Sequence, residues 1–189
     1  VFGRREGATR GRSRSQGLEY PVSVTLEEAL SGTKRLLKVQ LPHGQKKNLE
    51  VKVPVGVDNG AKVRISAPGL GDVFLLVTVE PHDVFARQGT NLTIEVSTPL
   101  VDAVLGGEVK VPTLKGQVAL TIPPDSQNGS TFRLRNQGMP HLHKPNLYGD
   151  LIVRLKVVLP TALSEEEKRL FKELRLLESQ RLLNSEGEN

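Results

Sequence analysis

The chain has 189 residues, of which 37% are hydrophobic and only 4% aromatic; it has no cysteine and a formal net charge of +5. The absence of cysteine excludes disulfide frameworks, cysteine-based zinc ribbons and thiol nucleophiles. A core poor in large rings must be built from Val, Leu and Ile, which suits two small domains better than one large globule. No apolar run approaches the roughly 18 residues of a membrane span, so no membrane partner is expected.

The first segment is basic. Residues 1–17 carry Arg4, Arg5, Arg10, Arg12 and Arg14 against Glu6 alone, so most of the net charge sits there. With Gly and Ser making up much of the rest, the segment reads as a flexible linker. Its arginines could meet nucleic-acid phosphates, although aromatic residues for base stacking are not interleaved with them.

From Leu18 to about Pro160 the pattern is β. Leu49-Glu50-Val51-Lys52-Val53 alternates apolar and charged residues, as a half-buried strand requires. Val63-Arg64-Ile65, Val109-Lys110-Val111, Val118 to Ile122 and Phe132-Arg133-Leu134 do the same, and Val73–Val79 and Leu151–Leu159 are longer strands. Asp58-Asn59-Gly60 and Gln127-Asn128-Gly129 mark turns. Thr25-x-x-Glu28 is a capping box for a short helix that Gly32 ends. Around it, Tyr20 and Val22 share one strand face, and Leu37 and Val39 share another. From pattern alone these four are either core or an open apolar surface.

An internal repeat runs through this stretch. Leu26, Ala29 and Gly32 recur as Leu100, Ala103 and Gly106; Val53-Pro54 as Ile122-Pro123; Gly60 as Gly129; Arg64 and Gly69 as Arg133 and Gly138; Gly71-Asp72 as Gly149-Asp150. Turns and strand ends match in order, so two tandem β-rich domains are expected, divided near 84–90.

The tail changes period. Ser164 and Glu167 form a second capping box, and Leu170, Leu174 and Leu177, with Phe171 beside them, make one apolar stripe. The helix packs either on its own domain or on a second subunit.

No catalytic constellation is present: no Gly-x-Ser-x-Gly, no phosphate-binding loop and no His-Glu-x-x-His. His141 and His143 lie in a Pro- and Gly-rich loop without a third ligand, so no metal is expected. His82-Asp83 follows Pro81 at a strand end and reads as a surface turn.

Val24 to Gly32 with Lys34 and Arg35, Val53 to Gly60, Gly71-Asp72, Pro81 to Phe85, Gly106-Gly107, Gly138-Met139-Pro140, Gly149 to Leu151 and Leu163-Ser164 together resemble the C-terminal region of J-domain (DnaJ-type) co-chaperones. The resemblance covers about residues 18–178. No Cys-x-x-Cys zinc repeat lies between Val39 and Leu49, which resembles the class B, curved-DNA-binding-protein-like members.

The resemblance implies a mainly β fold: two tandem β-rich, β-sandwich-like domains with short helices, followed by a C-terminal dimerisation helix. The expected boundaries are a linker at 1–17, a client-binding domain at 18–87, a second domain at 88–161, and the dimer helix with its tail at 162–189. It also implies a client-peptide groove lined by Tyr20, Val22, Leu37, Val39 and Phe85, with Leu37 where some members carry Phe and Tyr20 where some carry Val. The homodimer contact would use Leu170, Phe171, Leu174 and Leu177. The implied partners are unfolded polypeptides and a DnaK-type ATPase, the latter through a J domain expected upstream of Val1. The expectation is a cytoplasmic, non-enzymatic protein without a cofactor; weak nucleic-acid binding through the basic tail is the alternative function.

Overall fold

The structure is a computed structural model that describes residues 18–40, 46–67 and 71–186. The basic segment 1–17 lies outside the described residues, as do Gly69 and Leu70 of the turn before the Val73 strand.

The elements in chain order are β1 (Leu18–Val24), α1 (Leu26–Ser31), β2 (Thr33–Gln40), β3 (Lys46–Val53), β4 (Lys62–Ala67), β5 (Gly71–Val79), β6 (Ala86–Gln88), β7 (Asn91–Pro99), α2 (Leu100–Leu105), β8 (Gly107–Thr113), β9 (Gly116–Ile122), β10 (Thr131–Leu134), β11 (Pro140–His141), β12 (Lys144–Tyr148), β13 (Leu151–Val158) and α3 (Glu165–Glu186). The fold is mainly β, as the alternating pattern predicts. The sheets have orders β1-β5-β4 and β10-β13-β7-β6, with three further hairpins, β2-β3, β8-β9 and β11-β12.

The chain divides into two compact units. One holds the described residues up to Ile94 together with Arg133–Ile152; the other holds Glu95–Phe132 and the described residues from Val153 on.

In the first unit β1 runs parallel to β5, with Val22 opposite Val77, and β4 pairs antiparallel to β5. Every second residue of β5 (Val73, Leu75, Val77) is fully buried, the period-2 pattern of a strand with one face in a core. The β2-β3 hairpin sets Leu37 opposite Leu49. Its alternation turns Lys34, Leu36 and Lys38 outward and Arg35, Leu37 and Val39 inward.

Segment 133–152 is fastened to the first unit through its backbone. Met139 N–H donates to the Thr90 carbonyl at 2.7 Å and Leu92 N–H to the Asp150 carbonyl at 2.9 Å. The approach is so close that a Cβ on Gly149 would lie 2.2 Å from the Thr90 oxygen, and one on Gly56 would lie 2.5 Å from the Pro140 oxygen. Only glycine fits there. Arg87 closes the same region by donating to the Val57 carbonyl at 2.8 Å, the Gly89 carbonyl at 2.8 Å and the Asp58 carboxylate at 2.5 Å. Burial pulls its guanidinium below the usual arginine value, against the opposing pull of Asp58.

The repeat recurs at the level of single bonds. Asn59 Oδ1 accepts from Val79 N–H at 3.0 Å, and Asn128 Oδ1 from Val157 N–H at 3.0 Å. Gly60 N–H donates to the Val77 carbonyl and Gly129 N–H to that of Leu155, each at 2.8 Å. Both glycines have positive φ, +78° and +84°, the conformation an Asn-Gly turn requires. Arg64 pairs with Asp72, and Arg133 with Asp150.

Candidate functional site

The candidate groove residues all lie in the first unit. β1 carries Tyr20 and Val22, β2 carries Leu37 and Val39, and Phe85 follows β5. Three are buried: Val22 is 5% exposed, Val39 0% and Phe85 7%. Tyr20 and Leu37 are half-buried. The five therefore split into a buried base and two side chains with surface to offer.

α1 joins the two strands and is set by its cap. Thr25 Oγ1 accepts from Glu28 N–H at 3.3 Å, and Thr25 N–H donates to the Glu28 carboxylate at 3.1 Å, which completes the expected capping box. Glu28 then accepts from Arg35 of β2 at 2.6 Å, which ties helix to strand.

Phe85 is placed by His82. The imidazole Nδ1 accepts from the backbone N–H of Val84 at 3.0 Å and of Phe85 at 3.2 Å. With Nδ1 an acceptor, the ring proton belongs on Nε2, which lies 3.0 Å from Glu27 of α1. The His82 and Phe85 rings sit 5.1 Å apart in a tilted pair. Glu27 is held below the usual carboxylate value by a backbone hydrogen bond first, then by the Thr25 hydroxyl and His82, against some desolvation. The sequence reading took His82 as a plain surface turn and missed its anchoring role. Its position three residues before Phe85 is the only local signal.

Both strands beside the site have an unpaired edge among the described residues, since β1 pairs only with β5 and β2 only with β3. The Val24 carbonyl accepts from Glu80 N–H at 2.9 Å. Strand alternation therefore turns Tyr20 and Val22 peptide groups toward β5 and those of Glu19, Pro21 and Ser23 to the free edge. Pro21 has no N–H to offer there, as suits an edge strand. β2 contains no proline and keeps every donor.

The dimerisation candidates lie on α3. Its start is the second expected capping box: Glu167 N–H donates to Ser164 Oγ at 3.2 Å, and Ser164 N–H to the Glu167 carboxylate at 2.7 Å. Leu170, Leu174 and Leu177 are exposed and Phe171 is half-buried, so the three leucines are largely uncovered among the described residues.

In the Pro- and Gly-rich stretch that carries them, His141 ends β11 and His143 lies in the turn before β12. They line a shallow cleft with Lys144 over Gly56 and Thr90. Among the described residues no group of three or more His, Asp or Glu is placed to hold a metal, and no helix is long and apolar enough to cross a membrane.

The chain is thus a pair of β-rich repeats, each with a short helix between two strands, followed by a long exposed helix. The family model described as DnaJ C terminal domain matches residues 18–160, and the chain belongs to that family. It is 40% identical to the chaperone protein DnaJ of Methanothermobacter thermautotrophicus, over 74% of this chain and 39% of the relative. It is 40% identical to that of Roseiflexus castenholzii, over 76% of this chain and 41% of the relative. A protein named curved DNA-binding protein, from Pseudomonas syringae pv. tomato, is 36% identical over 92% of this chain and 62% of its own length. The chain thus spans about two fifths of the DnaJ relatives it matches.

Proposed function

We propose that this chain is the client-holding part of a cytoplasmic co-chaperone, with no catalytic step of its own. An extended apolar segment of an unfolded polypeptide adds as a strand beside β1 and β2, and its side chains pack on Tyr20 and Leu37 over the base of Val22, Val39 and Phe85. The observation that carries this reading is the combination of two half-buried apolar side chains with strand edges unpaired among the described residues, in one unit. Backbone pairing supplies affinity for any sequence, and the apolar surface selects among them. Each buried side chain contributes about 1.5–3 kcal/mol before ordering costs, so a single site is weak enough to release its client.

Two copies joined through Leu170, Phe171, Leu174 and Leu177 present two such sites and gain avidity. Delivery to a DnaK-type ATPase completes the cycle. In domain terms, residues 18–87 hold the client and the second repeat with the 162–189 segment assembles the pair.

The test is Leu37→Asp. A carboxylate would then meet the client's apolar groups, and binding of an unfolded-protein peptide is expected to fall at least tenfold, about 1.4 kcal/mol. The thermal melt should stay near that of the parent. Normal melting with normal binding would place the client elsewhere.

The arginines at 1–17 and the curved DNA-binding relative favour one alternative, a nucleic-acid-binding protein. It predicts DNA affinity that falls steeply with salt and is lost on deleting residues 1–17.

A further inference from the structure

α2 differs from α1 on the side that faces water. α1 presents Glu27 and Ser31 there, with Leu30 half-buried; the matching residues of α2 are Val101, Leu105 and Val104. These three are 55%, 71% and 48% exposed. The fold does not need this apolar face, because α1 does without it in the same setting. The same unit holds a second uncovered face, Leu170, Leu174 and Leu177 of α3, at 52%, 50% and 63% exposure.

Areas argue that the two faces belong together. A Leu or Val side chain carries on the order of 100 Å² of apolar surface, so each half-exposed trio offers roughly 200 Å². A standard interface buries about 800 Å² per partner, rather more than half of it apolar. Self-pairing of the α3 stripe alone supplies roughly half the apolar area a stable dimer needs; both faces together approach it. Leu176 and Leu183, one heptad apart on another flank of α3, cannot enter the same contact as the stripe.

We propose that α2 is the acceptor for α3 of a second copy of this chain: Val101, Val104 and Leu105 of one protomer receive the partner subunit's Leu170, Leu174 and Leu177, and the reverse. Each copy thereby gives one face and receives one, as a two-fold contact requires. This inference rests on the homodimer reading above and adds which surfaces meet.

The chain has no cysteine, so single cysteines give clean crosslinks. Full-length Val104→Cys chains carrying a size tag, mixed with untagged Leu174→Cys chains and oxidised, should yield the tagged–untagged species on a non-reducing gel. If only Leu174→Cys chains join one another, or a dimeric mixture does not crosslink, α2 is not the acceptor. In parallel, Val104→Asp and Leu174→Asp should each weaken dimerisation at least tenfold in sedimentation, with unchanged melting. Wild-type affinity in Val104→Asp beside a monomeric Leu174→Asp overturns the α2 contact and leaves the dimer standing. A monomeric parent chain overturns both.

Discussion

In the first repeat Tyr20 and Leu37 are half-buried, whereas Ile94 and Val111, at the matching places of the second, are fully buried at 3% and 0% exposed. The framework around them is the same: both repeats turn at Asn-Gly with the same hydrogen bonds, and both helices end at a glycine with positive φ, +75° at Gly32 and +81° at Gly106. What differs is which side is covered. The first repeat leaves strand-borne apolar groups partly uncovered and caps its helix with Thr25; the second buries those groups fully, has Pro99 at the cap without a side-chain bond, and opens its helix instead. One scaffold thus offers two different apolar surfaces by moving a few side chains between core and solvent, with the backbone plan retained.

The comparison is broken most sharply by placing the same charge in both repeats. Val111→Asp puts an unpaired carboxylate into a fully buried position, which costs several kcal/mol, so the second unit should be unfolded at room temperature by circular dichroism and proteolysis. Leu37→Asp should melt near the parent. Equal melting of the two would mean that the repeats are not distinct in this respect.

A smaller effect concerns the caps. Thr25→Ala removes a hydroxyl that satisfies a helix N–H and should cost about 1 kcal/mol, while Pro99→Ala, which removes no such bond, should cost less than half of that in a denaturant titration. Of similar size and opposite sign is Thr98→Val. The Thr98 side chain is fully buried and its hydroxyl has no partner among the described residues; the first repeat has Val24 there, 1% exposed. Removing an unsatisfied buried hydroxyl should stabilise the second unit by about 1 kcal/mol. A melt that falls would show that the hydroxyl is bonded in solution.

The smallest effect concerns pH. Asp150 is held below its ordinary value of 3.8 first by the Asn136 backbone N–H and then by the arginines beside it, chiefly Arg133, against desolvation. A depressed carboxylate gives stability that is complete above the ordinary value and is lost as pH falls through the lowered one. Asp150→Asn should therefore lower stability slightly at neutral pH, flatten the acid limb of the unfolding curve below about pH 4, and leave mutant and parent converging in strong acid. An unchanged acid limb would remove Asp150 from the account.

Much of this was legible because it is local. Alternation located the strands, Asn-Gly the turns, and the Thr25/Glu28 and Ser164/Glu167 spacings the two capped helices, since each signal is carried by residues within one turn or strand. The repeat was legible too, because it preserves order. The split of Val22, Val39 and Phe85 from Tyr20 and Leu37 was not, because all five are apolar and only packing from distant segments covers three of them. The hold of His82 on Phe85 depends on which ring nitrogen accepts, a matter of three dimensions. That the second repeat lends residues 133–152 to the first unit cannot be read from either repeat, since each copy of Gly-Asp looks alike on paper.

The glycine-tight seating of that segment against Thr90 and Pro140 against Gly56 has a consequence during synthesis. Chains emerge at about 5–20 residues per second and domains generally fold as they appear. Here the unit that begins first must wait for Met139, Gly149 and Asp150 to leave the ribosome, so its early strands spend several seconds without their final neighbours. β1 to β5 are made before segment 133–152, yet their unit is complete only after that segment has emerged. A nascent chain of this design is, for that interval, itself an incompletely folded polypeptide with apolar strands still uncovered.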